Sequence, residues 1–500
     1  NLVSVGSKRF LTNKVDRSVT GLIALQQCVG PLHMPISNVA IVAHSHFGLT
    51  GTAISIGEQP IKSIKNEAAM ARLTVIEMLT NIMWAKITSL HDIKCSGNWM
   101  WPLKQHGEKY KLWNACKSLC KLLEKLDIAI DGGKDSLSMS VKLPSGEDVK
   151  GPSTLVMSAY APMNDITKFV TPAVKLDNRD TIDSANMNHI IWIDFSPEHK
   201  RLAGTSFEQV NNDFGVFKHT PDFDLDKTDS FIRLFKLVQD WINKGIIKAG
   251  HDISDGGLIT TICEMSMSGN LGMKINIDKN IGFNLHEILF SEEPGIVIQI
   301  NGSNEKLDRY LNILNFTCNN DFGVHALGNL CGDFNLTINT NSSGLDNLIK
   351  LDLNKLRNMW ENTSYTLDKL QATHSCVEEE FHELTNFHIR NIGYSFDTNF
   401  FDQEHFNNYI RLSEVNKNIN WNVYVAIIRE EGSNGDKEMI SAFYHAGYSV
   451  IDTPMNMLLN MNENDLENFF NKINCIAFVG GFSYSDVFNA GKGWAASILF

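Results

Sequence analysis

His251-Asp-Ile-Ser-Asp-Gly-Gly257 follows the short run Ile246–Ala249 and leads into a helical pattern over Gly256–Ser268. Two carboxylates, a serine hydroxyl and two glycines at a helix start suit a cation-bound phosphate. The acid takes the cation, and glycine-flanked backbone N–H groups meet the phosphate oxygens. The plain alternative is that Asp252 or Asp255 caps the helix.

Upstream, Asn66–Ile87 is predicted to be a long helix, because Met70, Leu73, Ile76, Leu79, Ile82 and Met83 recur at spacings of three and four. Within it, Val75-Ile-Glu-Met-Leu-Thr-Asn81 puts Glu77 and Asn81 one turn apart on one face. A carboxylate and an amide oxygen inside an apolar stripe need a partner. Either a basic side chain and an interhelical hydrogen bond supply it, or the two are oxygen ligands of a hard cation such as Mg²⁺. Asn38–His44 and Leu155–Ala161 are expected strands, Leu112–Leu126 a second helix, and Asn164–Pro172 a boundary.

Downstream, Ile190–Phe195 and Gly295–Ile300 are expected strands and Phe231–Lys244 an amphipathic helix, in a region closing near Asn339. Residues 340–420 lack a strong strand pattern; Leu353–Leu370 is expected to be helical, and the Glu378-Glu-Glu380 stretch a solvated connector. A further unit alternates strand Val423–Ile428, helix Asp436–Ala446, strand Tyr448–Asp452, helix Glu463–Asn471 and strand Cys475–Val479. That alternation predicts a parallel, doubly wound sheet. The fold class is thus α/β and α+β, in several domains.

Composition narrows the function. In 500 residues, 44 Lys+Arg against 57 Asp+Glu leave a formal charge of -13, a poor match to a nucleic-acid backbone. With 43% hydrophobic and 20% charged residues the chain is globular in composition, and no apolar run nears the roughly 18 residues of a spanning helix. No nucleic-acid or membrane partner is expected. The nine cysteines are scattered; Cys116 and Cys120 share a helix face without a second Cys/His pair at zinc spacing, so buried thiols in a reducing cytoplasm are expected.

Three weaker signals complete the chemistry. Asp131-Gly-Gly-Lys-Asp-Ser136 reads as a polar turn in which Lys134 either meets a phosphate or stands in solvent; it lacks P-loop spacing. Cys95-Ser-Gly-Asn-Trp-Met-Trp101 reads as a hydrophobic turn packed in a core. Gly480-Gly481 follow a strand and are candidate oxyanion donors, although a Gly pair there is usually only a tight turn.

Together these segments resemble the large, single-chain phosphoribosylformylglycinamidine synthases of purine biosynthesis. The likeness runs through Val15-Asp-Arg-Ser-Val-Thr-Gly21, Gln26-Gln-Cys-Val-Gly-Pro31, Gly57-Glu-Gln-Pro60, Cys95–Trp101, Asp131–Ser136 and Ser158-Ala-Tyr-Ala-Pro162. It continues in His251–Gly257, Glu292-Glu-Pro-Gly295, Arg429-Glu-Glu-Gly-Ser-Asn-Gly435 and Val479–Ala495, and is loose only over 165–245 and 375–420. The resemblance implies a linker over 1–14, a second aminoimidazole-ribonucleotide-synthetase-like ATP-binding domain over 15–165 and its C-terminal-type partner over 175–340. A helical connector over 341–420 and the start of a class I glutamine amidotransferase sheet over 421–500 follow. It implies a ligase that takes ATP, formylglycinamide ribonucleotide and glutamine in the cytoplasm.

Residue by residue, the resemblance puts Glu77, Asn81 and Asp252 on Mg²⁺ ligands of an auxiliary ATP/ADP site, and Lys8, Ser37 and Ser254 on nucleotide contacts. Asn38 stands where an acid is expected in the metal shell. The family's other ATP domain is expected before residue 1 and the glutaminase cysteine beyond Phe500, so no catalytic residue is assigned within the chain. Cys475, inside a strand run, does not replace that nucleophile. A nucleotide-binding scaffold without chemistry is the alternative, separable by glutamate and phosphate release. A stand-alone kinase of the selenide-dikinase type offers no reason for the Val423–Ala495 unit.

Overall fold

The computed structural model describes residues 2–176, 187–212, 215–278, 281–340, 347–385, 422–487 and 489–499. The chain forms two compact units. The larger comprises Asn1–Arg17, Ala24–Val42 and Thr50–His388; the smaller comprises Ser18–Ile23, Ala43–Leu49 and Ile389–Phe500.

The six-stranded sheet contains β1 (Ile23–Leu25), β2 (Ala40–Ala43), β3 (Gly51–Glu58), β4 (Lys94–Met100), β5 (Ala129–Ser136) and β6 (Thr154–Met163), in the order β1-β2-β3-β6-β4-β5. β6 pairs antiparallel with β3 and β4, whereas β4 and β5 run parallel. In β3, Gly51, Ala53, Ser55 and Gly57 alternate inward and are covered by helix α1 (Glu67–Ile82). Asn66 caps α1 by accepting the Ala68 and Ala69 N–H groups. The Met70, Ile76, Leu79 and Ile82 side chains of α1 are fully or almost fully buried. Burial of each contributes about 1.5–3 kcal/mol. α2 (Glu108–Leu126) packs beside α1.

A seven-stranded sheet contains β7 (Asn188–Asp194), β8 (Ile247–Ile253), β9 (Gly272–Ile277), β10 (Gly295–Asn301), β11 (Gly323–Cys331), β12 (Asn335–Thr340) and β13 (Asn347–Asp352). Their order is β8-β10-β7-β11-β9-β12-β13, parallel only between β9 and β12. β7 and β10 are buried along nearly their whole length, as their continuous apolar runs predict. α3 (Thr228–Asn243), α4 (Gly257–Gly269) and α5 (Asn304–Cys318) accompany this sheet, followed by α6 (Leu353–Asp368) and α7 (His374–Thr385). One apolar cluster joins both sheets, from Ile41 and Met78 to Ile193, Phe231 and Ile298. Where they meet, Gly250 of β8 lies under Trp84: a Cβ there would stand 2.1 Å from the indole ring. That contact draws β8 up to the C-terminal end of α1.

In the smaller unit, β14 (Tyr424–Arg429), β15 (Ser449–Pro454) and β16 (Cys475–Phe478) form a parallel sheet in the order β15-β14-β16. α8 (Asp436–His445) and α9 (Glu463–Phe470) complete the strand–helix alternation that the sequence predicts.

Several local expectations change. Asp131–Ser136 is strand rather than turn, and so is Cys95–Met100, with Trp101 fully buried just after it. The segment 340–420 does contain a strand, β13, and Glu378–Glu380 lie in α7. Of the expected connector, 341–346 and 386–420 lie outside the described residues. Residues 7–14, expected as linker, are bonded to α6 and α7. Cys116, Cys120, Cys376 and Cys475 are exposed rather than buried, while the other five cysteines are buried; all nine are free thiols.

Candidate functional site

The site grows from the fit of β3 against α1. A Cβ on Gly57 would lie 2.2 Å from the Thr74 carbonyl oxygen and 2.5 Å from the Met78 nitrogen, so a larger residue would push strand and helix apart. With glycine there, the Glu58 N–H donates to Glu77 Oε2 at 2.7 Å and the Asn81 Nδ2 donates to the Ile56 carbonyl at 2.9 Å. Asn81 has thereby committed its nitrogen and keeps its oxygen for another partner. Asp252 sits near the end of β8, 4% exposed, and accepts from Asn38 Nδ2 at 3.0 Å. Ser37 donates to the Val39 carbonyl at 2.8 Å.

These elements enclose a cleft of about 430 Å³. Its polar lining comprises Ser37, Asn38, Asn81, Asp252 and Ser254, with His251 and Glu264; its apolar lining comprises Ile36, Val39, Ala40, Ile54 and Ile56. Five of the seven predicted site residues therefore line one cavity. Glu77 and Lys8 do not line it. Glu77 stands one turn before Asn81, held by the Glu58 N–H, and Lys8 lies near Glu264, Asp255 and Glu58.

Charge is poorly balanced here. Burial, then Asp252 and Asp255, push the Glu77 carboxyl well above the ordinary range, with Gln59 and the Glu58 N–H pulling the other way. Burial and Asp255 likewise raise Glu58, and burial lowers the half-buried Lys8 despite its acidic neighbours. Burial opposes the charging of His251, yet Asp252 and Glu264 raise it to about 9. Its Nε2 meets Glu264 Oε2 at 3.0 Å; its Nδ1 is 3.1 Å from Asp252 Oδ1, close as an ion pair but without hydrogen-bond alignment. Behind the cleft, the fully buried Lys62 is paired with Glu292 and lies 3.4 Å from Asp255 Oδ1. Glu292 Oε1 also accepts the Gly256 and Ser206 N–H groups at 2.7 and 2.8 Å.

Three alternatives that the sequence left open are narrowed. Neither Asp252 nor Asp255 caps α4: Gly256 occupies the cap in left-handed conformation, φ 89°, without a side-chain bond. Among the described residues Glu77 forms no ion pair with a basic side chain. Lys134 is exposed on β5, donates to Ser136 Oγ and stands away from the cleft. Sequence reasoning missed Glu264 as a cleft residue, and missed Lys62 and Glu292, which stand outside the cleft lining as an ion pair beside Asp255. Only Glu292 carried a signal, inside the quoted Glu292-Glu-Pro-Gly295. In the smaller unit, Gly480 and Gly481 follow β16 at an exposed turn, Gly481 at φ 126°. Cys475 opens that strand at its other end, about 17 Å away by strand rise.

Among the described residues, no three His, Cys, Asp or Glu side chains gather into a metal-binding group. The expected ligand set instead mixes carboxylates with amides. No helix among them is long and apolar enough to cross a membrane.

Residues 7–162 match the family model described as the FGAR-AT PurM_N-like domain, and 212–318 the AIR synthase related protein, C-terminal domain. Residues 422–500 match the CobB/CobQ-like glutamine amidotransferase domain. The fold is thus a synthetase-type pair of domains joined to a glutamine amidotransferase domain. Over its full length the chain is 43% identical to a phosphoribosylformylglycinamidine synthase of Dictyostelium discoideum and covers 36% of that protein. It is 39% identical to that of Homo sapiens, again over the full chain and 35% of the relative. A probable chloroplastic/mitochondrial phosphoribosylformylglycinamidine synthase of Arabidopsis thaliana is 44% identical over the full chain and 33% of that protein. The chain is similar over its full length to phosphoribosylformylglycinamidine synthases and spans about a third of the length of these relatives.

Proposed function

We propose that the cleft holds a magnesium-bound adenine nucleotide, and that the chain is the part of a phosphoribosylformylglycinamidine synthase that carries this auxiliary site. The observation that carries the reading is the convergence of Ser37, Asn38, Asn81, Asp252 and Ser254 on one cavity that apolar side chains also line. Apolar lining with a few placed polar groups is the ordinary form of a small-ligand site.

The donor set fits a hard cation. Glu77 has no basic partner among the described residues, and burial beside Asp252 and Asp255 disfavours its charge, which a divalent ion would offset. Glu77, Asn81 and Asp252 would supply oxygens, Asn81 through the oxygen its present hydrogen bond leaves available. Asn38 would join only by turning its amide, since its nitrogen now faces Asp252. Bound there, Mg²⁺ would neutralise phosphate oxygens. Ser37, Ser254 and Lys8 would hold the nucleotide, with Ile36, Val39 and Ile54 against the base.

On this reading the whole enzyme converts formylglycinamide ribonucleotide, ATP and glutamine to the amidine, ADP, phosphate and glutamate, with turnover at a different nucleotide site. Gly480 and Gly481 are the oxyanion candidates of the glutaminase part. The free thiols favour a cytosolic setting; the name of the Arabidopsis relative attaches that protein to organelles.

Titration calorimetry with ADP, with and without Mg²⁺, tests the site. One MgADP per chain is expected, with affinity lost in chelator and in Asp252→Ala. Equal affinity with and without divalent cation refutes the metal, and no binding by the folded chain refutes the site.

A further inference from the structure

Of the predicted nucleotide contacts, Ser37 lies three residues before β2 and Ser254 directly follows β8, whereas Lys8 is far in sequence from any strand of the two large sheets. It precedes the one-turn helix Arg9–Thr12, and that turn is fastened on both sides of Lys8 to α6. The Ser7 N–H donates to the Trp360 carbonyl at 3.0 Å, and the Phe10 N–H to Ser364 Oγ at 2.7 Å. Between them, Arg9 grips Glu361 as a fork: Nε reaches the two carboxylate oxygens at 3.1 and 3.2 Å, and Nη2 reaches Oε1 at 2.9 Å. Arg9 is 8% exposed and Glu361 2%. Lys8 itself donates to the Ser4 carbonyl and is close enough to feel the charge of Glu264, which lines the cleft, and of Asp255 and Glu58.

We infer that Arg9 and Glu361 are positioning residues: their buried ion pair holds the Arg9–Thr12 turn on α6 so that Lys8 is set toward the nucleotide cleft. The inference rests on the nucleotide reading above and deepens it. A buried pair is weak warrant by itself, because apolar residues often replace one without loss of stability. Here the pair sits immediately beside a lysine whose flexible four-carbon stem needs a fixed root to place a point charge. The backbone bonds at Ser7 and Phe10 fix that root from the same helix. Arg9 does not line the cleft, but its Nη2 also meets the His33 carbonyl at 3.4 Å, four residues before the cleft residue Ser37, so a double-mutant cycle is needed to separate a route through Lys8 from one through that loop.

The test is a double-mutant cycle on the full chain, read by MgADP affinity. Lys8→Met is expected to weaken MgADP about tenfold, the worth of one charge-assisted contact. Arg9→Lys keeps the charge but loses the fork, and is expected to weaken MgADP about fivefold. The double variant should bind no more weakly than Lys8→Met alone. Equal weakening by Arg9→Lys with and without Lys8, or no weakening at all, overturns the inference. Ser364→Ala, which releases the turn without touching the ion pair, serves in the same cycle should Arg9→Lys not fold.

A second readout needs no nucleotide. The rate of Lys8 acetylation by acetic anhydride, followed by peptide mass spectrometry in the ligand-free chain, should rise in Arg9→Lys. An unchanged rate overturns the positioning role whatever the nucleotide result. If the parent binds no MgADP while Lys8 reactivity still responds to Arg9→Lys, the nucleotide reading fails and the structural coupling stands.

Discussion

Asn38→Asp separates a metal shell from a hydrogen-bonded strand end. Asn38 Nδ2 now donates to Asp252 Oδ1 at 3.0 Å, with the Glu77 carboxyl close behind. The substitution removes a hydrogen bond to a charged acceptor, about 1.5–3 kcal/mol. It also sets two carboxylates face to face; a like-charge pair at about 4 Å costs up to about 4 kcal/mol at an effective dielectric near 20. Turning of the side chain and proton uptake relieve part of this, so about 2–4 kcal/mol is expected in chelator at pH 7. Spread over the larger unit, that is about 3–5 °C in Tm. The sign with pH is fixed. Each carboxyl of the new pair would have a folded pKa above its unfolded value, so the penalty is present at high pH and fades as pH falls toward the ordinary carboxylate range. Saturating Mg²⁺ reverses the outcome, since a third carboxylate is a better hard ligand than an amide, and MgADP should bind about tenfold tighter. Thermal melts in chelator at pH 5 and pH 8, beside MgADP titrations, give both halves. A variant that melts like its parent in chelator and binds MgADP unchanged would remove Asn38 from the metal shell.

Glu77→Gln is expected to act in opposite directions with and without cation. The raised Glu77 carboxyl makes the cation-free protein lose stability as pH rises from the ordinary carboxylate range through its folded pKa, so the variant should be more stable than the parent at pH 8 in chelator and lose MgADP affinity. Equal pH profiles in chelator would show that Glu77 is not a desolvated acid. Gly57→Ala should cost about 1–3 kcal/mol in a denaturant melt and weaken MgADP together, because the Cβ meets Thr74 and Met78 in the helix that carries Glu77 and Asn81. Lost stability with unchanged affinity would detach the strand–helix fit from the site.

Much of this was legible in the residues. The three-and-four spacing from Met70 to Met83 gives α1, and the unbroken apolar runs at Ile190 and Gly295 give two central strands. β5 was not legible, because its residues are almost all exposed and a strand wet on both faces has no alternation to display. Its Gly133 answers to the neighbouring strand: a Cβ would meet the Gly97 carbonyl at 2.6 Å, a need visible only once β4 and β5 pair. The likeness of motifs picks out five residues that line one cavity. The charges behind them were not legible. Lys62 lies in the single short helical turn Pro60–Ile64 after β3, and its partner Glu292 lies 230 residues away, beyond any local pattern.

That separation has a consequence in time. Glu292 is the buried acceptor for Lys62, Ser206 and Gly256 together. A ribosome adding about 5–20 residues per second needs on the order of 10–50 s to travel from one end of the Lys62–Glu292 bond to the other. Through most of that interval the emerging first sheet and its helices carry an ammonium group meant for burial, with neither Asp255 nor Glu292 yet made to receive it. That buried cluster is therefore finished late in synthesis, whatever the order in which the strands around it appear.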